Sequence, residues 1–335
     1  SSSQYEPSIT GLSNGGFVVT WRDDSGHDGG SGADIRAQVY DDLGVMSGDE
    51  FRVNTYTSST QYDPSVTNLA DGGFVVTWSS NDQDGSSYGI YGQRYDDSGT
   101  AVGDEFRANT HTSSDQSWTS ITGLADGGFV ITWRDTSGHD GGSANDVWAQ
   151  RFDVNGVTVG DEFRVNTYTP GQQEDPSVTA LADGGFVVTW TDHSGHDGGS
   201  SWDIRAQVYD ASGEMVGDEY LVNAYTGSTQ SQPAVAAFDD GGFVVTWTSN
   251  AQDGSQGGIY AQHFNGDGTP ADQAKLIGGI GDDTLVFDAA QDGLAVDLGD
   301  GIDTATFGDD DDTLTISDVE TVNLGGGNDT VVVDG

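Results

Sequence analysis

No cysteine occurs in the 335 residues, which rules out disulfides and any thiolate metal site. Basic residues are scarce: ten Lys and Arg stand against 55 Asp and Glu, a net charge of -45. Such a chain repels phosphates, which excludes nucleic acid and anionic membranes as partners. Long apolar runs are missing too. The longest runs only from Ala234 to Phe238, whereas a membrane helix needs about 20 residues, so no membrane-inserted helix is expected. Helical periodicity is absent. No basic-then-apolar leader precedes Ser1, so an export signal is expected either to have been removed or to lie at the other end. G-x-S-x-G, H-E-x-x-H and P-loop signatures are all lacking, and no carboxylate pair can be singled out among so many. These absences predict a non-enzymatic protein.

What is present is Asp beside Gly. Glu appears only eight times, so nearly all the acid is Asp, the residue of tight turns and Ca²⁺ loops. The order is strongly repetitive. Asp-Gly-Gly-Phe-Val-Val-Thr-Trp or a near copy ends at Trp21, Trp78, Trp133, Trp190 and Trp247, inside units of 55 or 57 residues. Each unit opens on a Gln (Gln4, Gln61, Gln116, Gln173, Gln230) and holds four short strand candidates. Phe17, Phe74, Phe129, Phe186 and Phe243 alternate with the Trp residues, which marks both sets as core. Four-stranded units repeated radially make a β-propeller, so residues 1–275 are expected to form five blades. An open array of small sheets is the alternative, because no extra strand precedes Gln4 to complete the last blade.

After Lys275 the pattern changes. Residues 276–335 contain Gly278-Gly279-Ile280-Gly281-Asp282-Asp283-Thr284-Leu285-Val286 and the looser Gly325-Gly326-Gly327-Asn328-Asp329-Thr330-Val331-Val332, which fit the nonapeptide of Ca²⁺-binding parallel β-helices. This segment resembles a degenerate RTX β-roll, and the five repeats resemble those of large secreted RTX-type proteins of Gram-negative bacteria. The resemblance implies secretion by a type I pathway and Ca²⁺ at the sixth positions of the turns, Asp283, Asp303, Asp312 and Asp329.

A second candidate Ca²⁺ site is the loop after the central Trp. In units one, three and four its Asp residues keep one spacing: Asp23, Asp28 and Asp34; Asp135, Asp140 and Asp146; Asp192, Asp197 and Asp203. Regularly spaced hard oxygens on a Gly-rich loop suit Ca²⁺, although the same residues also build turns by capping their own backbone. Zinc is a poor fit, since His27, His139 and His196 sit one per blade and Zn²⁺ wants converging ligands.

Four aromatic residues depart from the repeat and suggest recognition. Tyr91, Trp148 and Tyr260 share a slot held by Arg36 and Arg205 in other units, which predicts that the slot faces solvent. Trp118 replaces an acidic residue found at Glu6, Asp63 and Asp175. Exposed aromatics beside Asp and Asn suit sugar rings. The sequence thus predicts a secreted, Ca²⁺-binding adhesion or scaffold module whose partner is a glycan or another copy of itself. A self-assembling filament subunit and a polysaccharide-active enzyme or its accessory domain are the alternatives.

Overall fold

Alternation along Phe17-Val18-Val19-Thr20-Trp21 sends side chains to both faces of a sheet, and both faces are apolar. Such a sheet is stabilised by neighbouring sheets that cover both of its faces. Five of them in succession give a radial stack, and the computed structural model is an all-β five-bladed propeller. It describes residues 3–26, 32–139, 141, 145–196, 202–239, 241–250 and 257–271, followed by the seven C-terminal strands given below.

Blade one holds β1 (Gln4–Gly11), β2 (Phe17–Asp23), β3 (Asp34–Tyr40) and β4 (Phe51–Arg52). Blade two holds β5 (Gln61–Asn68), β6 (Phe74–Asn81), β7 (Tyr88–Tyr95) and β8 (Ala101–Arg107). Blade three holds β9 (Gln116–Gly123), β10 (Phe129–Asp135), β11 (Asp146–Phe152) and β12 (Thr158–Arg164). Blade four holds β13 (Gln173–Ala180), β14 (Phe186–Asp192), β15 (Asp203–Tyr209) and β16 (Met215–Leu221). Among the described residues blade five has β17 (Gln230–Ala237), β18 (Phe243–Ser249) and β19 (Gly258–Phe264), one strand fewer than the repeat predicts. Within each blade neighbouring strands run antiparallel in chain order.

Four hydrophobic cores lie between successive blades. The forward face of blade one supplies Val18, Ile35, Ala37 and Val39, and these pack on Val66, Phe74, Val76, Trp78 and Tyr95 of blade two. Equivalent residues repeat the arrangement three times more. Trp78, Trp133 and Trp190 are fully buried as a result. No such core joins blade five to blade one among the described residues, and Phe17 and Trp21 are accordingly only half-buried.

Polar ties reinforce each junction. Glu105, Glu162 and Glu219 reach back to accept the amides of Thr55, Thr110 and Thr167 at 2.6–2.7 Å. Inner strands are bridged by hydroxyls: Ser8, Ser120 and Ser177 accept from the amides of Val66, Val178 and Val235. In blade five Ala234 stands where those serines stand, so its inner strand has lost that acceptor.

The chain divides into two compact units, Ser1–Gly268 and Thr269–Gly335. In the second, β20 (Lys275–Ile277), β22 (Asp292–Asp297), β24 (Thr313–Ser317) and β26 (Thr330–Val333) form one parallel sheet. The strands β21 (Thr284–Val286), β23 (Thr304–Thr306) and β25 (Thr321–Asn323) form another. By repeat count β20 takes the place of the missing fourth strand of blade five, yet it pairs with β22 instead.

Candidate active site

The inner strand of every blade carries a bulge at one repeat position, where its register against the next strand shifts. Glu6, Asp63, Trp118, Asp175 and Gln232 occupy it, all left-handed with φ of 51–58°. Non-glycine residues take this conformation only at a cost of about 1 kcal/mol or more. Repeated five times, it is built into the fold, and it turns five side chains out of the strand. They converge: Asp63, Trp118, Asp175 and Gln232, from four different blades, line one cavity of about 380 Å³ with Thr119, Pro176 and Pro233. An adjoining cavity of about 320 Å³ joins Asp63 and Trp118 to Glu6, Arg22, Tyr62, Tyr88, Asp115 and Arg134.

Two of the nine arginines therefore meet acid and aromatic side chains in one place. The Arg134 guanidinium lies 3.7 Å from the centre of the Trp118 ring, donates to Ser117 Oγ at 2.9 Å and pairs with Glu174 at 3.5 Å. Arg22 lies over Tyr62 and pairs with Asp24 and Glu6. Glu174 also meets His193 Nε2 at 3.2 Å, and the His193 ring stacks on Trp202.

These surroundings separate the carboxyls. Burial, with the Glu6 charge second, pushes Asp63 up to about 6 against the ordinary 3.8, although the Trp118 amide donates to it and two arginines oppose the rise. Asp175 is also raised, by burial and then by its neighbour Glu174, with Arg134 and His193 opposing. Glu174 is held below the usual carboxylate range, mainly by its hydrogen bond from His193. Near neutrality the site thus offers a carboxyl able to hold a proton, a second carboxyl beside a guanidinium, and a fixed negative charge behind them. Two carboxyls of raised pKa in one cavity, with an ionised one beside it, are candidates for acid–base chemistry.

Trp118 is the one sequence-predicted recognition residue placed here. The slot of Tyr91, Trp148 and Tyr260 needs correction, because it does not face solvent. These side chains stand directly across the ladder from Trp78, Trp133 and Trp247. That position places Tyr91 and Trp148 in the blade junctions at 7 % exposure and packs Tyr260 against another. Arg36 and Arg205, in the same slot, are buried and paired with Glu50 and with Asp192 and Glu219. Trp148→Ala is accordingly expected to cost about 3 kcal/mol or more, as truncating a buried Trp does, read as a lowered urea midpoint at unchanged slope.

The loop aspartates are engaged inside the blades. Asp23, Asp135 and Asp192 are buried and accept the amides two residues ahead, Ser25, Ser137 and Ser194. Across the ladder Asp34, Asp146 and Asp203 accept at 2.7–2.8 Å from Asn54, Asn166 and Asn223. The same asparagines accept the amides of Ile35, Val147 and Ile204, fastening the fourth strand region to the third. Asp28, Asp140 and Asp197 lie outside the described residues, as do Asp283, Asp303, Asp312 and Asp329. Among the described residues no cluster of three or more His, Asp or Glu is placed to hold a metal ion. His139 stacks on His111 at 3.9 Å and leans on Trp148, so a histidine of the β10–β11 loop does meet one from the link between blades two and three.

No family model matches this chain, and no curated protein matches its sequence. Solved structures do match in fold. A protein of unknown function from Dyadobacter fermentans aligns with a TM-score of 0.56 at 12% identity, over 80% of each chain. The α-L-arabinanase of Penicillium chrysogenum, solved with arabinobiose, aligns at 0.52 and 16% identity, over 76% of this chain and 80% of its own. The NanB sialidase of Streptococcus pneumoniae aligns at 0.51 and 9% identity, over 79% of this chain and 61% of its own. At these identities the likeness is one of fold. It nonetheless overturns the ground for expecting a non-enzymatic protein, since an arabinanase and a sialidase share this architecture.

Proposed function

We propose that the propeller is a carbohydrate-active hydrolase whose site is the axial cavity of Asp63, Trp118 and Asp175. The observation that carries this reading is the convergence of four of the five bulge residues on one cavity, which brings two carboxyls of raised pKa and an aromatic ring together. Glycosidases use two carboxyl groups, one of raised pKa donating a proton to the leaving oxygen and one, ionised, activating water or attacking the sugar. Asp63, the more strongly shifted, is the proton donor. Asp175 is the base, and Arg134 beside it favours its ionised form. Glu174, paired with both Arg134 and His193, positions Arg134. Trp118 supplies the apolar surface for a sugar ring. Propellers that act on glycans share the fold, which supports the reading at the level of architecture.

The test is release of reducing ends from a panel of arabinan, other neutral polysaccharides and sialylated glycans, with Trp118→Ala beside the wild type. Loss of a ring platform worth about 1 kcal/mol should raise KM roughly fivefold and leave kcat nearly intact. Equal KM for both proteins would remove Trp118 from the site.

For the second unit we propose Ca²⁺ binding in the turns between its strands, within an RTX-like roll carried by a secreted protein. The supporting observation is that successive strands alternate between two parallel sheets, as a two-sided coil with nonapeptide half-turns requires. A divalent ion bound only by the folded form stabilises it by about 2.7 kcal/mol at a hundredfold excess over Kd. Millimolar Ca²⁺ should therefore raise the melting temperature of the chelated protein by several degrees, where Na⁺ of equal ionic strength does not. Superimposable melting curves would contradict this.

A further inference from the structure

Each blade has two different apolar faces, and every internal junction joins a forward face to the backward face of the next blade. The first and last blades break this pattern. On the backward face of blade one Ile9 is 64% exposed, whereas its counterparts Val66, Ile121 and Val178 are 6–7% exposed. On the forward face of blade five Ile259 is 77% exposed, whereas Ile35, Ile90, Val147 and Ile204 in the same position are all at 0%. Tyr5 and Phe238 are exposed beside them, and Phe17, Val19, Trp21 and Val244 are only half-buried. The two faces therefore do not cover each other within one molecule.

We infer that these two faces are the two halves of one interface, and that the forward face of blade five docks on the backward face of blade one in a second copy of the chain. The identity of the partner follows from the internal junctions, which show four times what covers a forward face: Phe and Trp of a central strand with an aliphatic residue of an inner strand. Blade one presents that set as Phe17, Trp21 and Ile9. Because the faces differ, the contact is heterologous, and each copy keeps one free face for the next, giving an open series or a closed ring. Ala234 in place of the bridging serine leaves this junction without that inner-strand hydrogen bond, so apolar packing carries it, weaker than an internal junction and reversible. The inference is independent of any activity at the axial cavity.

Sedimentation of the full chain from micromolar to near-millimolar concentration tests it, together with Ile9→Glu and Ile259→Glu. Both positions are exposed, so both variants are expected to melt like the wild type. Wild type should show a mean mass that climbs with concentration beyond two chains. Each variant alone should stay monomeric, since every contact needs both faces and one of them is spoiled in every copy. In an equimolar mixture, the intact blade-five face of Ile9→Glu should pair with the intact blade-one face of Ile259→Glu, giving a dimer of mixed composition by mass spectrometry. Wild type that stays monomeric throughout overturns the proposal. So does an assembly that survives either substitution, or one abolished by a single substitution and not restored in the mixture, which would mark a symmetric contact or a different partner.

Discussion

Asp63→Asn should lower the rate of glycan hydrolysis by about 10²–10⁴-fold, the usual contribution of a positioned general acid, and at the same time make the protein more stable. The two effects share one cause. Asp63 ionises in the folded chain only near 6, because burial and Glu6 oppose its charge. Its unfolded value is near 3.8, so between these values the folded state binds more protons than the unfolded one. Stability from this group is therefore complete below the lower value and lost as pH rises through the upper one. A difference of about two units corresponds to roughly 3 kcal/mol. Asn removes the buried charge and keeps an acceptor for the Trp118 amide. Its stabilising effect should be largest near about pH 8 and vanish near about pH 4, read from urea unfolding at both. A variant less stable at both pH values would show that the carboxylate holds the fold rather than strains it.

The second large effect separates blade junctions from the uncovered end faces. Trp133→Ala, at a position 1% exposed in the junction of blades two and three, should lose about 3–5 kcal/mol. Trp21→Ala, the same repeat position in blade one, is half-buried with no blade behind it. Measured at low concentration, where copies are apart, it should lose less than half as much. Equal losses would mean that the face of blade one is covered in the isolated chain, and that the ring is closed.

Much of the fold was legible because the repeat writes it five times. The recurring Phe and Trp marked the core of each unit, and the period predicted blades. The buried slot was misread because substitution of Tyr91 and Trp148 by Arg36 and Arg205 looked like solvent tolerance. In fact the arginines are buried by pairing with acids, a device no composition argument reveals. The axial site was half legible. Trp118 stood out in a column of acids at Glu6, Asp63 and Asp175, but an acidic column in so acidic a chain carries little signal. Stronger was the Pro that follows it in four units, at Pro7, Pro64, Pro176 and Pro233. Pro restricts the residue before it, which marks a special backbone position. That the column points at the axis depends on the bulge and on how blades are arranged around it, and neither has a linear signature. Among the described residues blade five has three strands, and Lys275–Ile277, which the repeat count assigns to its fourth, pairs in parallel with β22.

The pH dependence of kcat/KM on the best glycan found tests the axial site most directly. The arrangement of Asp63 and Asp175 predicts a bell, with activity falling on the alkaline side as Asp63 loses its proton near about 6. The acid limb should follow Asp175, and Asp63→Asn should abolish the alkaline limb along with most of the rate. A profile flat through that region, or an alkaline limb unchanged in Asp63→Asn, would contradict the assignment of this cavity as a hydrolytic site.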